Sequence, residues 1–431
     1  MRAALPLSGP STTKTRADVR LSFVTEPELL KTSVTDLSCS WSPDIVRFAQ
    51  RRTPHARAPG VYAESTSVVT QTNKEAVCLS GEPLTTLPPV ETSVDKPILG
   101  IESSCDELAC AVLSADGCTV LSDEVHSQIE MHAHFGGIVP EVASRDHVRR
   151  LTFVLEQALK KAGVTLSDLG GIAVTAGPGL IGSLLCGLEF AKGLALATGL
   201  PLVGVHHHEG HLAAAFLSDK PPVGPFVALL VSGGHTSLIH VEKLGGPYAV
   251  IGETRDDAAG EAFDKTAKFL GLGYPGGIVI DRLAADADAD RFPFPDVMAG
   301  KNNFDFSFSG LKTAAIVLAR AQPAPLEGQA LRDFCASFQA AVVENLLKKA
   351  FRAVRLHDTK QLVICGGVAA NRELRTRAET RAHREGVRLI IPEKRWCTDN
   401  AAMIARAGWT RLMCGAKGRD TISAQPYWKL A

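Results

Sequence analysis

The chain has 431 residues, of which 45% are apolar, enough to bury a large core divided between two lobes or domains. Lys+Arg and Asp+Glu balance at 46 each, which excludes a global basic field for nucleic acid but leaves room for a local one. No apolar run approaches bilayer-spanning length, and the ten cysteines contain no CxxC pair, so buried reduced thiols in a cytoplasmic protein are expected, not a zinc ribbon or disulfide scaffold.

Residues 1–96 are rich in Ser, Thr and Pro (PSTTKT, RRTPHARAPG, TTLPPVETS) and lack periodicity, which predicts a disordered extension. No apolar h-region marks a secretory signal. The eleven basic and ten acidic residues also disfavour a mitochondrial presequence, which is poor in acids. After Met1 the next methionine is Met131, so one expectation is a non-ATG start near Val94 with the extension a misread upstream region. The rival expectation is a segment that targets a mitochondrion or plastid.

Ordered sequence begins at KPILGIESSCDELACAVLSADGCTVLSDEVHS. Ile98–Ile101 reads as a strand, SSCDE as a polar turn, Ala109–Leu113 as a second strand, and a third follows the ADG turn. PFVALLVSGGHTSLIHVEKLGGPYAVIGET repeats this pattern about 130 residues later. Each half then supplies helices, RDHVRRLTFVLEQALKKAG and AAGEAFDKTAKFLGLG. A duplicated α/β domain is predicted, with lobes over 97–220 and 221–431, and a last helix that could return to the first lobe. Small or Gly-rich turns let backbone N–H groups approach an anion. Three further loops fit the same cleft: Gly177, Pro178, Gly179 and Gly182 before a helix, Gly276–Gly277 ahead of Asp281, and Gly366–Gly367 ahead of Asn371. Together they point to a duplicated actin-like ATPase (ASKHA) fold, two lobes around a nucleotide-type cleft.

VHHHEGHLAAAFL holds four histidines and one glutamate. His207 and His211, spaced i, i+4 among helix formers, share one helix face and can bind one metal. The metallopeptidase motif HExxH needs its Glu directly after the first ligand, whereas Glu209 follows His207 by two and is turned away. His206 and His208 read as structural. A bare HxxxH is more often two satisfied histidines on an ordinary helix. Asp399, at the entry to a helix in CTDNAAMIA beside the capping candidates Thr398 and Asn400, is a candidate third ligand, although an Asp there is usually a cap.

These stretches resemble one family. From Ile98 nearly to the C-terminus, GIESSCDE, GGIVPEVASRDH, TAGPGLIGSLLCGL, HHHEGH, LLVSGGHTSLI, DDAAGEAFDKTAK, YPGG, FSFSGLKTA, ICGGVAAN and CTDNAAMIA are similar to the bacterial and organellar TsaD group. These are tRNA N6-adenosine threonylcarbamoyltransferases, formerly called O-sialoglycoprotein endopeptidases. The match covers roughly three-quarters of the chain. The resemblance implies transfer of threonylcarbamoyl from threonylcarbamoyl-AMP to N6 of adenosine 37 in tRNAs reading ANN codons, with release of AMP. It implies one divalent metal per subunit, Fe(II) with Zn(II) as the alternative, held by His207, His211 and Asp399. It places the adenylate against Leu230, Val231, Ser232, Gly233, Gly234, Asp264, Gly277, Asp281 and Asn371. Asp106 and Glu107, in the first turn, are candidates to orient or deprotonate the adenine amine, or else turn acids bonded to backbone. Leu108 replaces the usual Thr, and His208 the commoner Met.

The family works with a smaller paralogue (TsaB) and a P-loop ATPase (TsaE); a homodimer is the organellar alternative, and no membrane is involved. Arg145, His147, Arg149 and Arg150, and also Arg372, Arg375 and Arg377, are basic clusters that could meet tRNA phosphates or form solvated helix faces. The rivals are a metallopeptidase, a kinase or chaperone-like ATPase on the same fold, and a non-catalytic scaffold paralogue.

Overall fold

The computed structural model describes residues 95–297, 300, 303–416 and 422–430. The expectation for residues 1–96 lies almost wholly outside them.

The first half forms β1 (Ile98–Glu102), β2 (Glu107–Leu113), β3 (Val120–Ser127), α1 (Ile129–Ala133), α2 (Pro140–Ala162), β4 (Gly171–Gly177), α3 (Ile181–Thr198), β5 (Leu202–His206) and α4 (His207–Ala214). The second forms β6 (Phe226–Val231), β7 (Thr236–Val241), β8 (Tyr248–Glu253), α5 (Ala259–Phe269), α6 (Gly276–Leu283), α7 (Ser309–Arg320), α8 (Gly328–Leu356), β9 (Gln361–Cys365), α9 (Arg372–Glu385), β10 (Arg388–Ile390) and α10 (Ala401–Met413). The sheet orders are β3-β2-β1-β4-β5 and β8-β7-β6-β9-β10. In each sheet the first three strands in the chain pair antiparallel, and the last two join parallel to the first. One topology used twice is the duplicated actin-like fold that the repeated strand–turn–strand openings predict.

Strand alternation divides the buried residues into layers. Leu99, Ile101, Val112 and Val174 face α2 and α3, whereas Ile98, Ala109, Ala111 and Ala173 face the other way. That second layer also contains Phe226, Ala228 and Leu230 of β6, so it lies between the two sheets, with α4 and α10 inside it. Val227, Leu229 and Val231 face α5 and α8 in a third core. Each large apolar side chain so buried contributes about 1.5–3 kcal/mol. Small residues let α10 into the middle layer: a Cβ at Gly100 would stand 2.3 Å from the Ala401 carbonyl oxygen.

α2 begins with Pro140 at its first position and ends at Gly163 in the left-handed region, the usual asymmetry of proline at the start and glycine after the end. One expectation needs correction. α3 is an 18-residue helix of mean hydropathy 1.3, long and apolar enough to cross a bilayer. Its Leu188, Ala191, Leu194 and Ala195 are buried in the first-lobe core, so its apolarity serves packing.

Candidate functional site

α4 starts directly at the carboxyl end of β5, so His207 enters as its first residue and His211 lies one turn on. Their imidazole centroids are 4.7 Å apart. Asp399 comes to them from the loop before α10: its Oδ1 lies 3.2 Å from His211 Nε2 and 3.5 Å from His207 Nε2. Asp399 does not cap the helix. Asn400 does, accepting from the Met403 N–H at 2.9 Å, and Asp123 of β3 accepts from the Ala401 and Ala402 N–H groups at 3.1 Å. The Asp399 carboxylate is thereby left for another task.

One ligand atom from each of His207, His211 and Asp399 lies within 4.8 Å of the others. His211 Nδ1 is buried without a hydrogen-bond partner, and Nε2, although 3.2 Å from Asp399 Oδ1, is not in hydrogen-bond geometry with it. An orphaned imidazole beside a carboxylate fits a divalent cation, and the site therefore suits a divalent metal. Burial opposes charge on His207, but Asp399 and Glu102 outweigh it and raise its pKa to about 9. Burial likewise opposes charge on Asp399, yet the facing His207 and His211 hold its carboxyl below the usual range. A cation would take the place of the protons in this pair of charges.

Glu102 escaped the sequence reading. Fully buried at the end of β1, it accepts from the Ser104 N–H and the Thr175 hydroxyl, both at 2.6 Å, and its Oε2 lies 3.1 Å from His207 Nδ1. The available signal was an acid closing the apolar strand ILGIE, a position with no place for a charge unless it has partners.

Glu209 lies away from the metal ligands. Its carboxylate is buried and accepts from Tyr248 OH at 3.0 Å and from Arg411 Nε at 2.8 Å. His206 Nδ1 accepts from the His208 N–H at 3.1 Å, and its Nε2 donates to the Trp428 carbonyl at 3.1 Å; burial lowers its pKa to about 3. His208 packs its ring 4.1 Å from that of His235, in the β6–β7 turn.

Asp106 ends the β1–β2 turn and Glu107 opens β2, Asp106 buried and Glu107 partly so. Burial, then the charges of Asp399 and Asp106, push the Glu107 carboxyl well above the ordinary range. Burial, then the charges of Asp106 and Asp264, similarly push up the Tyr274 hydroxyl. A buried chain holds this turn from behind. The Val139 N–H donates to His132 Nδ1 (3.3 Å), His132 Nε2 to Gln128 Oε1 (3.1 Å), Gln128 Nε2 to His147 Nδ1 (3.0 Å), and His147 Nε2 to the Cys105 carbonyl (2.9 Å). His147 is fully buried, so its expected place in a phosphate-facing cluster or on a solvated helix face is corrected: it faces the β1–β2 turn.

A cleft of about 310 Å³ opens in the second lobe, lined among others by Gly233, Asp264, Gly277, Asp281, Gly367 and Asn371. A Cβ on Gly233, Gly234 or Gly367 would meet no protein atom within 4 Å, so these positions border open space. Asp264 accepts from the Gly276 N–H at 2.7 Å. Asp281 is paired with Arg372, whose Nε donates at 3.0 Å. Asn371 caps α9 through the Leu374 N–H and donates to Gln339 at 2.7 Å. Ser232 Oγ accepts from the His235 N–H at 3.1 Å and shapes the turn. Leu230 and Val231 are buried, their side chains in opposite cores, and neither lines the cleft.

Arg375 donates to the Ala369 and Pro392 carbonyls, each at 2.7 Å, and Arg377 pairs with Glu373, so neither is a free cation; Arg145 remains largely exposed.

The family model described as TsaD, tRNA N6-adenosine threonylcarbamoyltransferase, matches residues 119–406. Proteins named tRNA N6-adenosine threonylcarbamoyltransferase are similar over nearly their whole length. That of Anaeromyxobacter dehalogenans strain 2CP-1 is 53% identical over 334 residues, covering 77% of this chain and 99% of the relative. That of Syntrophotalea carbinolica is 50% identical over 333 residues, covering 77% and 96%. That of Sorangium cellulosum is 52% identical over 348 residues, covering 78% and 96%.

Proposed function

The chain belongs to the tRNA N6-adenosine threonylcarbamoyltransferase family, and on that premise we propose that it moves threonylcarbamoyl from threonylcarbamoyl-AMP to N6 of adenosine 37 in tRNAs reading ANN codons. It is an acyl-transfer enzyme that acts on tRNA. The observation that carries this reading is the pairing of a two-histidine, one-carboxylate site with a glycine-bordered cleft, while Glu209 is engaged elsewhere.

In this reading the cleft takes the AMP portion of the donor. Gly233, Gly234 and Gly277 allow close backbone approach, and Asp264, Asp281 and Asn371 line the nucleoside side. Leu230, Val231 and Ser232 set the turn's position from β6. His207, His211 and Asp399 would hold one divalent ion, for which two imidazoles and a carboxylate suit Fe(II), or Zn(II). When bound, such an ion supplies a Lewis-acid anchor for the donor's oxygens. N6 attacks the carbamoyl carbon, the new C–N bond forms, the C–O bond to AMP breaks, and Asp106 or Glu107 accepts the N6 proton. Ser104, in the same turn, lies 3.2 Å from His207 Nδ1 and sets these acids near the metal ligands, which supports that role. Glu209, held by Tyr248 and Arg411, is not available as a base for hydrolysis of the donor.

A TsaB-like paralogue and a TsaE-like P-loop ATPase are the proposed partners, with a homodimer as the alternative. Val148 and Phe153 of α2, and Ile181 and Leu185 of the adjacent α3, are exposed, which supports a protein partner there. The described cysteines are all unpaired and suit a reducing compartment, so we place the reaction in the cytoplasm.

The test is incubation of the purified protein with threonylcarbamoyl-adenylate and tRNA carrying A37 or G37, followed by nucleoside analysis. A modified adenosine only in the A37 tRNA is the expected result. Robust ATP turnover by the protein alone, with no modified nucleoside, would favour the ATPase reading instead.

A further inference from the structure

β1, β4 and β5 are consecutive parallel neighbours in the first sheet, so their carboxyl ends lie side by side. Glu102 ends β1, Thr175 stands near the end of β4, and His207 follows β5. Sheet order, rather than chain order, brings these three residues together. Glu102 is fully buried and has no water to stabilise its charge, and such a group in a native fold is held by directed donors. Here they are the Ser104 N–H on Oε1, the Thr175 hydroxyl on Oε2, and the His207 Nδ1 edge on Oε2.

We propose that Glu102 is the positioning residue of the metal site, fixing His207 in the tautomer and ring orientation that present its Nε2 to the cation. This rests on the reading of His207, His211 and Asp399 as metal ligands. A proton on Nδ1, donated to Glu102, leaves the Nε2 lone pair directed toward Asp399, and the carboxylate raises the basicity of that nitrogen. Ser104 Oγ, 3.2 Å from the same Nδ1, reinforces the orientation from the β1–β2 turn. The two ligands are unequal in this respect. His211 Nδ1 is buried with no partner, so nothing sets its tautomer, and the pre-formed half of the grip is His207. The same turn ends on Asp106 and leads into Glu107, so Glu102 and Ser104 also join the metal site to the proton-accepting acids.

The test is titration of the metal-free protein with Zn(II), and separately with Co(II) read by its visible absorption, in wild type, Glu102→Gln and Thr175→Val. The amide keeps the size of Glu102 but removes its charge, so Glu102→Gln should weaken Zn(II) binding by about 10- to 100-fold. It should also alter the Co(II) spectrum of the folded protein, in addition to any fall in the unfolding midpoint from the lost buried hydrogen bonds. A purely structural role would move the midpoint and leave the affinity of the folded protein unchanged. Equal affinity in wild type and Glu102→Gln overturns the proposal. Should Glu102→Gln fail to fold, Thr175→Val decides: it removes one donor from Oε2, and unchanged Zn(II) affinity there overturns the proposal as well. If wild type itself binds neither ion, the metal reading fails, and that result is distinct from the others.

Discussion

Arg411 of α10 donates to the buried carboxylate of Glu209 on α4, with Nε at 2.8 Å, and ties together the two helices that lie between the sheets. Tyr248 of β8 completes the cluster from the second lobe. Removing one partner of a buried pair leaves the other charge uncompensated, at a cost of about 3–5 kcal/mol. Glu209→Gln is therefore expected to lower the denaturant midpoint substantially, measured by equilibrium unfolding. At temperatures where the variant stays folded, transfer should persist; complete loss of chemistry in a fully folded variant would return Glu209 to the candidate bases.

Gly233 borders the cleft, and a Cβ added there would meet no protein atom within 4 Å. Gly233→Ala should leave the melting temperature within about one degree of wild type, since an exposed site of ordinary φ is near-neutral. The added methyl takes space next to the proposed AMP site, so the dissociation constant for AMP should rise about 10-fold or more by calorimetry. A matching loss of stability and affinity would mean that the glycine serves the fold.

His147 holds the Cys105 carbonyl and thereby the turn leading to Asp106 and Glu107. His147→Ala should reduce kcat about 10-fold or more through misplacement of those acids, with a smaller change in KM for tRNA. Steady-state kinetics on folded protein test this. A rise in KM alone would put His147 on the tRNA side after all.

Asp123 accepts from two N–H groups at the start of α10, but burial outweighs them and raises its pKa to about 6 from an ordinary 3.8. The folded protein thus binds this proton more tightly than the unfolded chain does. Its contribution to stability is present below about pH 4 and is lost as pH rises through about 6. Asp123→Asn mimics the protonated form. The variant should gain on wild type in unfolding free energy as pH rises from 4 to 7, with the difference closing at pH 4. Parallel pH profiles would show that Asp123 titrates alike in both states.

The sequence carried the duplication because strand–turn–strand openings are local patterns, and His207 and His211 because i, i+4 is the geometry of one helix. Asp399 was visible as a helix-entry acid, yet its meeting with the histidines depends on α10 returning between the sheets. Glu102 stayed hidden because its partners sit on β4 and after β5, and only the strand order joins them. His147 was misread from its basic neighbours in RDHVRR. The buried i, i+4 stripe Ala143, His147 and Leu151 on α2 was the signal that would have placed it inside. The cleft positions were legible as glycines, but which of them border open space is a property of the assembled lobe.

The most direct measurement of the central claim follows the label of isotopically marked threonylcarbamoyl-AMP in a single turnover with tRNA, in wild type and Asp399→Ala. The account predicts label on the tRNA adenosine with metal-loaded wild type and little transfer by Asp399→Ala. Undiminished transfer by the variant and by metal-stripped wild type, or release of the label to water by both proteins, would contradict it.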